Sequence, residues 1–539
     1  MTQTQFSPRM RIEKIELHNF KGVSNGVIEF NCLKTPFEKD TCSDILGVYG
    51  QNGSGKTTLL EALHIAKLAM MGAKIPFHRY RHIITQGADF ARMAISIQVS
   101  NEDGSLYHLE YAFSLGVWEF SSDTNESKNK NTAKVPGGVI TSSAVPAAAL
   151  ATALGFANSI PSPYAAIAGA AGIVVSQILR SSNKRKEISK ADGKVEQFEV
   201  FDEVLSLSGM FHGSNIRFGP IFDTRTTETV FLPRAKQKSY FPNDTASALK
   251  ELQKYKNDAL VNSTSFIFCD DLSRLLFEQG PLSEYAQIIM ELKAFAIKKI
   301  RVLDSKSPNT IGNDYIPLYT ANRGLRIKKL NSTTYLDDEG LQTLQTAING
   351  LNVVLQQIIP GLALKAVRQV DIDLNDRNAQ AHRTGTEVTV YTVRDNVRIP
   401  LAEESPGIIR IISFICLLSH AFVNQDVTVA IDEIDAGVYE YLLGELLLIF
   451  EEYGSGQLIF TCHNLRPMEV LNKKYIYFTT TNPENRYLKP KSIRNENNLR
   501  DVYLREIING GQDEDLYSAA KHGKIASALQ KAGEIIGQE

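Results

Sequence analysis

The sequence predicts an α/β fold, a mixed β-sheet built around a phosphate-binding loop, with helical insertions separating its N- and C-terminal halves. Three observations predict it. An apolar run at 45–49 leads into Gly50-Gln51-Asn52-Gly53-Ser54-Gly55-Lys56-Thr57, and apolar residues at helical spacing follow over 59–71. This is the strand, glycine loop and helix order in which a backbone can wrap an anion. A second run, 427–431, is continuously apolar, as a parallel strand buried on both faces requires, and ends in Asp432-Glu433. A third, 457–461, ends in Cys462-His463-Asn464.

The remaining elements follow in order. Residues 11–31 alternate apolar and polar side chains. Ile12, Ile15 and Leu17 precede the Asn19-Phe20-Lys21-Gly22 turn and Val27, Ile28 and Phe30 follow it, which predicts two short strands. Beyond the loop and its helix, 93–99 and 106–115 read as a hairpin turning at Asp103-Gly104. Residues 121–134 have the polar composition of a linker. From Val135 to Leu179 there is no Asp, Glu, Lys or Arg, and Ala-rich helices are expected at 147–158 and 163–179, with basic residues on both flanks. Residues 200–232 are strand-like, 246–300 mainly helical, and 341–359 helical, with Leu341, Leu344, Ile348, Leu351, Val354, Leu355 and Ile358 at helical spacing. Strands are expected at 367–374, 387–393 and 475–479, helices at 408–422 and 442–450, and a polar helical tail from Asp513.

Composition narrows the class. The chain has 539 residues, 22% charged and 43% hydrophobic, with a formal net charge of −2. Such a length fits two to four structural units. The composition argues against a collagenous, wholly disordered or multi-span membrane protein, and the net charge against a chain that is basic throughout. Cys32, Cys42, Cys269, Cys416 and Cys462 are scattered, without CxxC spacing, so neither a disulfide scaffold nor a zinc site is expected and a reducing, cytoplasmic setting is. No apolar signal-like stretch stands within residues 1–30.

The motifs carry chemistry. In the loop Gly50–Thr57, main-chain N–H groups would face phosphates, Lys56 would reach the β- and γ-phosphates, and Thr57 would ligate Mg²⁺. Hydrolysis further needs a carboxylate for the metal and a group that polarises water. Asp432 is the metal candidate beside Thr57, Glu433 the general-base candidate, and His463, ending a neighbouring strand, a candidate to sense the γ-phosphate or orient water. Ser405-Pro406-Gly407 opens a helix and can cap an anion.

Together these residues resemble the ABC-type ATPase heads of the SMC and RecF-like superfamily. Arg11 to Gly22 is similar to its N-terminal strand and turn, Gly50–Thr57 to its Walker A, Ser405-Pro406-Gly407 to its signature, Val429 to Gly437 to its Walker B and D-loop, and Phe460 to Asn464 to its H-switch. The resemblance spans about residues 10–115 and 365–485. It implies ATP and Mg²⁺ as cofactors. It implies nucleotide contacts from Lys21, Gly50, Gln51, Asn52, Gly53, Ser54, Gly55, Lys56, Thr57, Thr58, Ser405, Gly407 and Asp435. Two departures stand out: Pro406 takes the place of a usual glycine, and a Q-loop glutamine has two candidates, Gln86 and Gln237. The implied organisation is an N-terminal half of the head at 1–120, a linker and Ala/Gly-rich insertion at 121–200, a mixed and helical insertion domain at 201–365, and a C-terminal half with a helical tail at 366–539.

The tract from Asp432 to Leu471 resembles more closely the stand-alone ATPases of the OLD type, including the PtuA family of Septu and retron anti-phage systems. The superfamily resemblance implies an ATP-sandwiched homodimer or higher oligomer, with Ser405 and Gly407 of one protomer meeting the nucleotide of the other. The PtuA likeness implies control of a separate effector, an HNH-type nuclease, in anti-phage defence. A complex of reverse transcriptase with single-stranded DNA and RNA, or DNA itself, are further partners it implies. No acidic Toprim pattern follows His463, so no nuclease domain is expected in this chain. The alternative class is a DNA-repair or DNA-end-binding ATPase of the RecF or SMC type, to which Arg180, Lys184, Arg185, Lys186 and Lys190 could lend phosphate contacts. The uncharged tract 135–179 keeps three readings: an assembly hairpin, a passive loop, or a membrane-inserting hairpin. Each of its expected helices is shorter than the roughly 20 apolar residues of a span, so a membrane is not an expected partner. Sustained heptads are absent, so long coiled-coil arms are not expected either.

Overall fold

Alternating side chains at the N-terminus close a hairpin of β1 (Arg9–Phe20) and β2 (Val23–Glu29). The computed structural model describes residues 8–31, 43–101, 105–121, 194–225, 245–278, 283–303, 315–319, 324–328, 333–374, 383–395, 397–490, 498–509, 513–517 and 522–536. β3 (Asp44–Tyr49) runs through the glycine loop into α1 (Lys56–Met70), followed by α2 (Phe77–Tyr80), β4 (Phe90–Ser100) and β5 (Leu106–Ser121). Next come β6 (Lys194–Phe211), β7 (Ser214–Asp223), α3 (Thr245–Asn262), α4 (Asp270–Glu278) and α5 (Ser283–Lys298). β8 (Ile300–Leu303), β9 (Tyr315–Tyr319), β10 (Gly324–Lys328) and β11 (Thr333–Leu336) lead to α6 (Asp338–Ile358), β12 (Ala363–Leu374), β13 (Arg383–Arg394) and β14 (Val397–Pro400). The last stretch holds α7 (Pro406–Val423), β15 (Thr428–Ile431), α8 (Glu440–Tyr453), β16 (Gln457–Thr461), α9 (Arg466–Val470), β17 (Ile476–Thr479), β18 (Tyr487–Leu488), α10 (Leu499–Asn509) and α11 (His522–Ile536).

Two six-stranded sheets position the site. One is antiparallel, in the order β2-β1-β4-β5-β6-β7. The other runs β18-β17-β3-β16-β15-β8; β18 pairs antiparallel with β17, and β17, β3, β16, β15 and β8 run parallel to one another. Because these strands are parallel, the residues that follow β3, β15 and β16 emerge along one edge. Open α/β sheets bind ligands at that carboxyl edge.

The parallel sheet is buried on both faces. Leu46, Val48, Ala430, Ile459 and Tyr477 face a core shared with α1, α5 and the antiparallel sheet. Ile45, Tyr49, Val429, Ile431, Leu458, Phe460, Ile476 and Phe478 face a second core shared with α6, α7 and α8. This explains why 427–431 and 457–461 are apolar without alternation. By length and composition α7 could cross a membrane, but 61% of its apolar window is buried inside the fold, where it lines the second core.

Several boundaries differ from the sequence expectation. Residue 200, the expected end of a linker segment, lies inside β6, and β6 with β7 continues the sheet that β1 begins. Register shifts in the β5–β6 and β6–β7 pairings break the simple alternation that would have exposed this. Ile300, expected as a helix end, starts β8, a four-residue edge strand beside β15. The expected boundary between 365 and 366 falls inside β12. The longest described helix is α6, of 21 residues. The uncharged tract 135–179, the basic set 180–190 and Gln237 lie outside the described residues.

One buried side chain ties the sheets together. Gln457 has 0% exposure. Its Oε1 accepts from the Ile12 N–H (2.8 Å) and the Thr428 hydroxyl (2.9 Å), and its Nε2 donates to the Ile12 carbonyl (2.8 Å) and Asp44 Oδ2 (3.3 Å). Replacing Gln457 by Leu removes both of its hydrogen bonds to the Ile12 main chain in the interior. It is expected to lower unfolding free energy by about 3 kcal/mol, read as a lower urea midpoint.

Candidate functional site

The phosphate loop is shaped by what a side chain could not fit. A Cβ on Gly50 would lie 1.7 Å from Thr479 Oγ1. Gly55 sits at φ +92°, in the left-handed region, where a Cβ would also come within 2.9 Å of Val23 Cγ2. The loop is braced from outside: Tyr487 donates its hydroxyl to the Gly55 carbonyl (2.8 Å), and Ser54 Oγ donates to the Gln51 carbonyl (2.7 Å). Gly55 caps α1 without a side chain, and the first turn of α1 carries no acidic residue. The helix start therefore presents main-chain donors to an anion.

Lys56 is 7% exposed and donates from Nζ to the carbonyls of Gly50 (2.7 Å) and Gln51 (2.9 Å). Burial holds its ammonium below the usual lysine range, against the pull of the Asp432 and Glu433 carboxylates. Thr58 is buried in the first turn of α1, while Asn52 and Gly53 form the exposed tip of the loop.

The second half of the site closes on the first. Asp432, at 0% exposure, accepts on Oδ1 from the Thr57 hydroxyl (3.2 Å) and from the Thr461 hydroxyl (2.6 Å). Thr461 Oγ1 also accepts from the Glu433 N–H (2.7 Å). Glu433 takes the left-handed conformation, φ +49°, a geometry that costs a residue with a Cβ on the order of 1 kcal/mol and persists only where neighbours hold it. Its side chain is exposed at the rim, as is that of His463. Asp435 Oδ2 accepts from the main-chain N–H of His463 (3.1 Å) and of Asn464 (2.8 Å), so the segment after Glu433 fixes the backbone that carries His463.

Ser405 caps α7, its Oγ accepting from the Ile408 N–H (3.3 Å), and Pro406 occupies the first helical position. Proline suits that position, where a missing N–H has no helical partner to lose. Gly407 abuts the segment after Glu433: a Cβ on it would lie 2.9 Å from the Gly437 carbonyl oxygen.

The fold thus brings Lys56, Thr57, Asp432, Glu433, Asp435 and His463 to one edge, with Ser405 and Gly407 on the flank of the Asp432–Gly437 segment. Lys21 has a protein partner that the sequence did not suggest. Its turn lies beside the loop, with a Cβ on Gly22 only 3.8 Å from the Gly53 carbonyl oxygen, but its ammonium pairs with Glu61 of α1. Gln86 is exposed in a turn whose Thr85 hydroxyl donates to the Lys21 carbonyl (2.6 Å). The sequence reading passed over Thr461, Thr479, Tyr487, Arg486 and Arg410. Arg410 did carry a signal, as the sole charged residue in the apolar stretch 406–419, which marks a buried and partnered cation. Gly50→Ala is expected to abolish nucleotide binding, measured by calorimetry, because the added methyl must displace Thr479 or distort the loop.

Comparison with known proteins adds a family. A family model described as an AAA domain matches residues 14–299, from β1 through the phosphate loop to α5. No curated protein matches the chain. The chain is similar to the solved Smc head domain of Pyrococcus furiosus with an extended coiled coil bound to the C-terminal domain of ScpA, at 12% identity, covering 89% of this chain and 96% of that one, with a TM-score of 0.33. It is similar to the SMC head domain from Thermotoga maritima at 11% identity, covering 89% and 100%, with a TM-score of 0.30. It is also similar to the recombination mediator protein RecF with ATP in the RecFOR pathway at 10% identity, covering 84% and 94%, with a TM-score of 0.30. The family match takes in more than half of the chain and contains the glycine loop described above, and the chain belongs to the AAA domain family.

Proposed function

We propose that this chain binds ATP with Mg²⁺ and hydrolyses it at the edge formed by the glycine loop, Asp432-Glu433 and His463. The observation that carries this reading is the meeting of Thr57 Oγ1 with Asp432 Oδ1 at 3.2 Å, across 375 residues of chain. A hydroxyl and a carboxylate so placed are a half-site for a hard cation. Among the described residues no group of three or more His, Cys, Asp or Glu side chains gathers to hold a metal by itself. The pair therefore fits an ion that keeps water and phosphate oxygens as its other ligands. Bound there, Mg²⁺ would neutralise charge on the β- and γ-phosphates.

The chain's own groups divide the remaining work. Lys56 exchanges the carbonyls of Gly50 and Gln51 for phosphate oxygens, a stronger partner for a poorly solvated ammonium. Asp432 Oδ1 is already engaged by two hydroxyls, which suits it to a fixed ligand role. Glu433 stands next to it with an exposed carboxylate, as a base for the attacking water must. His463, held through its backbone by Asp435, orients that water or senses the γ-phosphate.

Ser405 and Gly407, on the flank of the Asp432–Gly437 segment, are proposed to contact the nucleotide of a second copy, so that ATP binding links two heads and hydrolysis parts them. The resemblance to PtuA-type ATPases extends the proposal to control of a separate HNH-type nuclease in anti-phage defence. On that reading the purified chain with Mg²⁺ or Mn²⁺ leaves DNA and RNA uncut. Tight, salt-dependent DNA binding by the chain alone moves the reading to the DNA-repair class.

Lys56→Ala is expected to weaken ATP binding about 100-fold, measured by calorimetry. Glu433→Gln is expected to keep ATP affinity while lowering kcat by about 10²- to 10⁴-fold. With ATP it should double in mass by light scattering. Unchanged turnover in this variant places the base elsewhere, His463 first.

A further inference from the structure

Arg410 lies inside α7, one and a half turns from the Ser405 cap, and is 6% exposed. Its Nη2 donates to the main-chain carbonyl of Asp432 at 2.5 Å and to that of Glu433 at 2.7 Å. Both acceptors belong to the peptide backbone, so the guanidinium's hydrogen bonds act on chain direction, while its charge also acts through space on the Asp432, Glu433 and Asp435 carboxylates. The same stretch is held at other points. The Glu433 N–H donates to Thr461 Oγ1 (2.7 Å), and the Glu433 carbonyl also accepts from the Ala436 N–H (2.9 Å). Glu433 sits at φ +49° between these restraints. A residue with a Cβ stays in that conformation only where its surroundings over-determine it, and Arg410 is the member of those surroundings that comes from another helix.

The start of that helix also abuts the segment. Gly407 packs on Gly437, where Gly437 is itself left-handed at φ +74°. The first residues of α7 and residues 432–437 therefore form one mechanical unit, tied by a glycine contact at one end and a buried guanidinium at the other.

We propose that Arg410 is a positioning residue for Glu433: it acts through the Glu433 main chain, and through it the N-terminus of α7 sets where the Glu433 carboxylate points. The proposal rests on the base role given to Glu433 above. A shift of Ser405 or Gly407 on meeting a ligand would reach the carboxylate by way of Arg410. A lysine at 410 can keep one of the two carbonyl contacts, and a glutamine loses the fixed geometry of both.

The test uses the full chain with R410K and R410Q. R410Q is expected to lower kcat about 10- to 100-fold with the KM for ATP changed less than about threefold, and R410K to lie between it and wild type. Amide hydrogen exchange over 432–437, read by mass spectrometry without nucleotide, is expected to quicken about tenfold in R410Q, while β3 keeps its protection. Should R410Q fail to fold, R410K carries both measurements. Wild-type kcat in the substituted chain overturns the proposal, as does a loss confined to KM or unchanged exchange over 432–437. A wild-type chain that binds no ATP would mark failure of the ATPase reading instead, and the exchange measurement then decides the role of Arg410 by itself.

Discussion

A carboxylate with no exposure to water remains in a protein interior only where donors replace its hydration. Asp432 is that group here, and much of the site's geometry follows from how it is satisfied. One hydroxyl comes from Thr57 at the start of α1 and the other from Thr461 at the end of β16. β16 lies between β3 and β15 in the sheet, so Thr461 reaches the end of β15 from the adjacent strand. The glycine loop, the acidic pair and the histidine segment are thereby held in mutual register by short hydroxyl contacts. The same Thr461 oxygen receives the Glu433 N–H, so the ligand candidate and the base candidate share one support.

The two large sheets are stapled at both ends, which braces the loop. Away from the site, Gln457 joins β16 to Ile12 of β1. At the carboxyl edge, Arg486 donates to the Gly22 carbonyl and to the Thr480 carbonyl (2.6 Å), while the adjacent Tyr487 holds Gly55. Burial lowers the Arg486 guanidinium from its ordinary value without a carboxylate to offset it, so its hydrogen bonds are to carbonyl dipoles. The β1–β2 turn, the glycine loop and the strand pair β17–β18 are therefore tied together by side-chain hydrogen bonds.

What the sequence could tell depended on whether the requirement was local. The glycine loop was legible because its demands fall on the main chain of consecutive residues: Gly50 and Gly55 have no space or no allowed conformation for a side chain. The acidic pair was legible because a strand buried on both faces is apolar throughout, which isolates the polar residues at its end. The partner that Lys21 takes was not legible, for a non-local reason. A basic residue beside a phosphate loop invites a ligand role, yet Glu61, one turn into α1, is within reach and takes its charge. β8 escaped because four residues after a helix carry no periodicity of their own, and its place beside β15 depends on strands far along the chain. Thr461 reads as an ordinary β-branched strand residue until its neighbours are known.

The helix α7 shows how a core element can also serve a site. Its buried residues run from Ile409 to Ala421, whereas Ser405 and Pro406 are exposed. An apolar body of that length fixes the helix against the parallel sheet, since each buried Ile or Phe forfeits about 2 kcal/mol if it is withdrawn. The first turn is free of that constraint and ends next to Gly437. Arg410 sits where the two regimes meet, buried like the body but directed at the main chain of the site. A cation in an apolar helix costs stability unless it is partnered. Its retention there is explained by the two carbonyls it holds, one of which belongs to the residue whose carboxylate the chemistry needs.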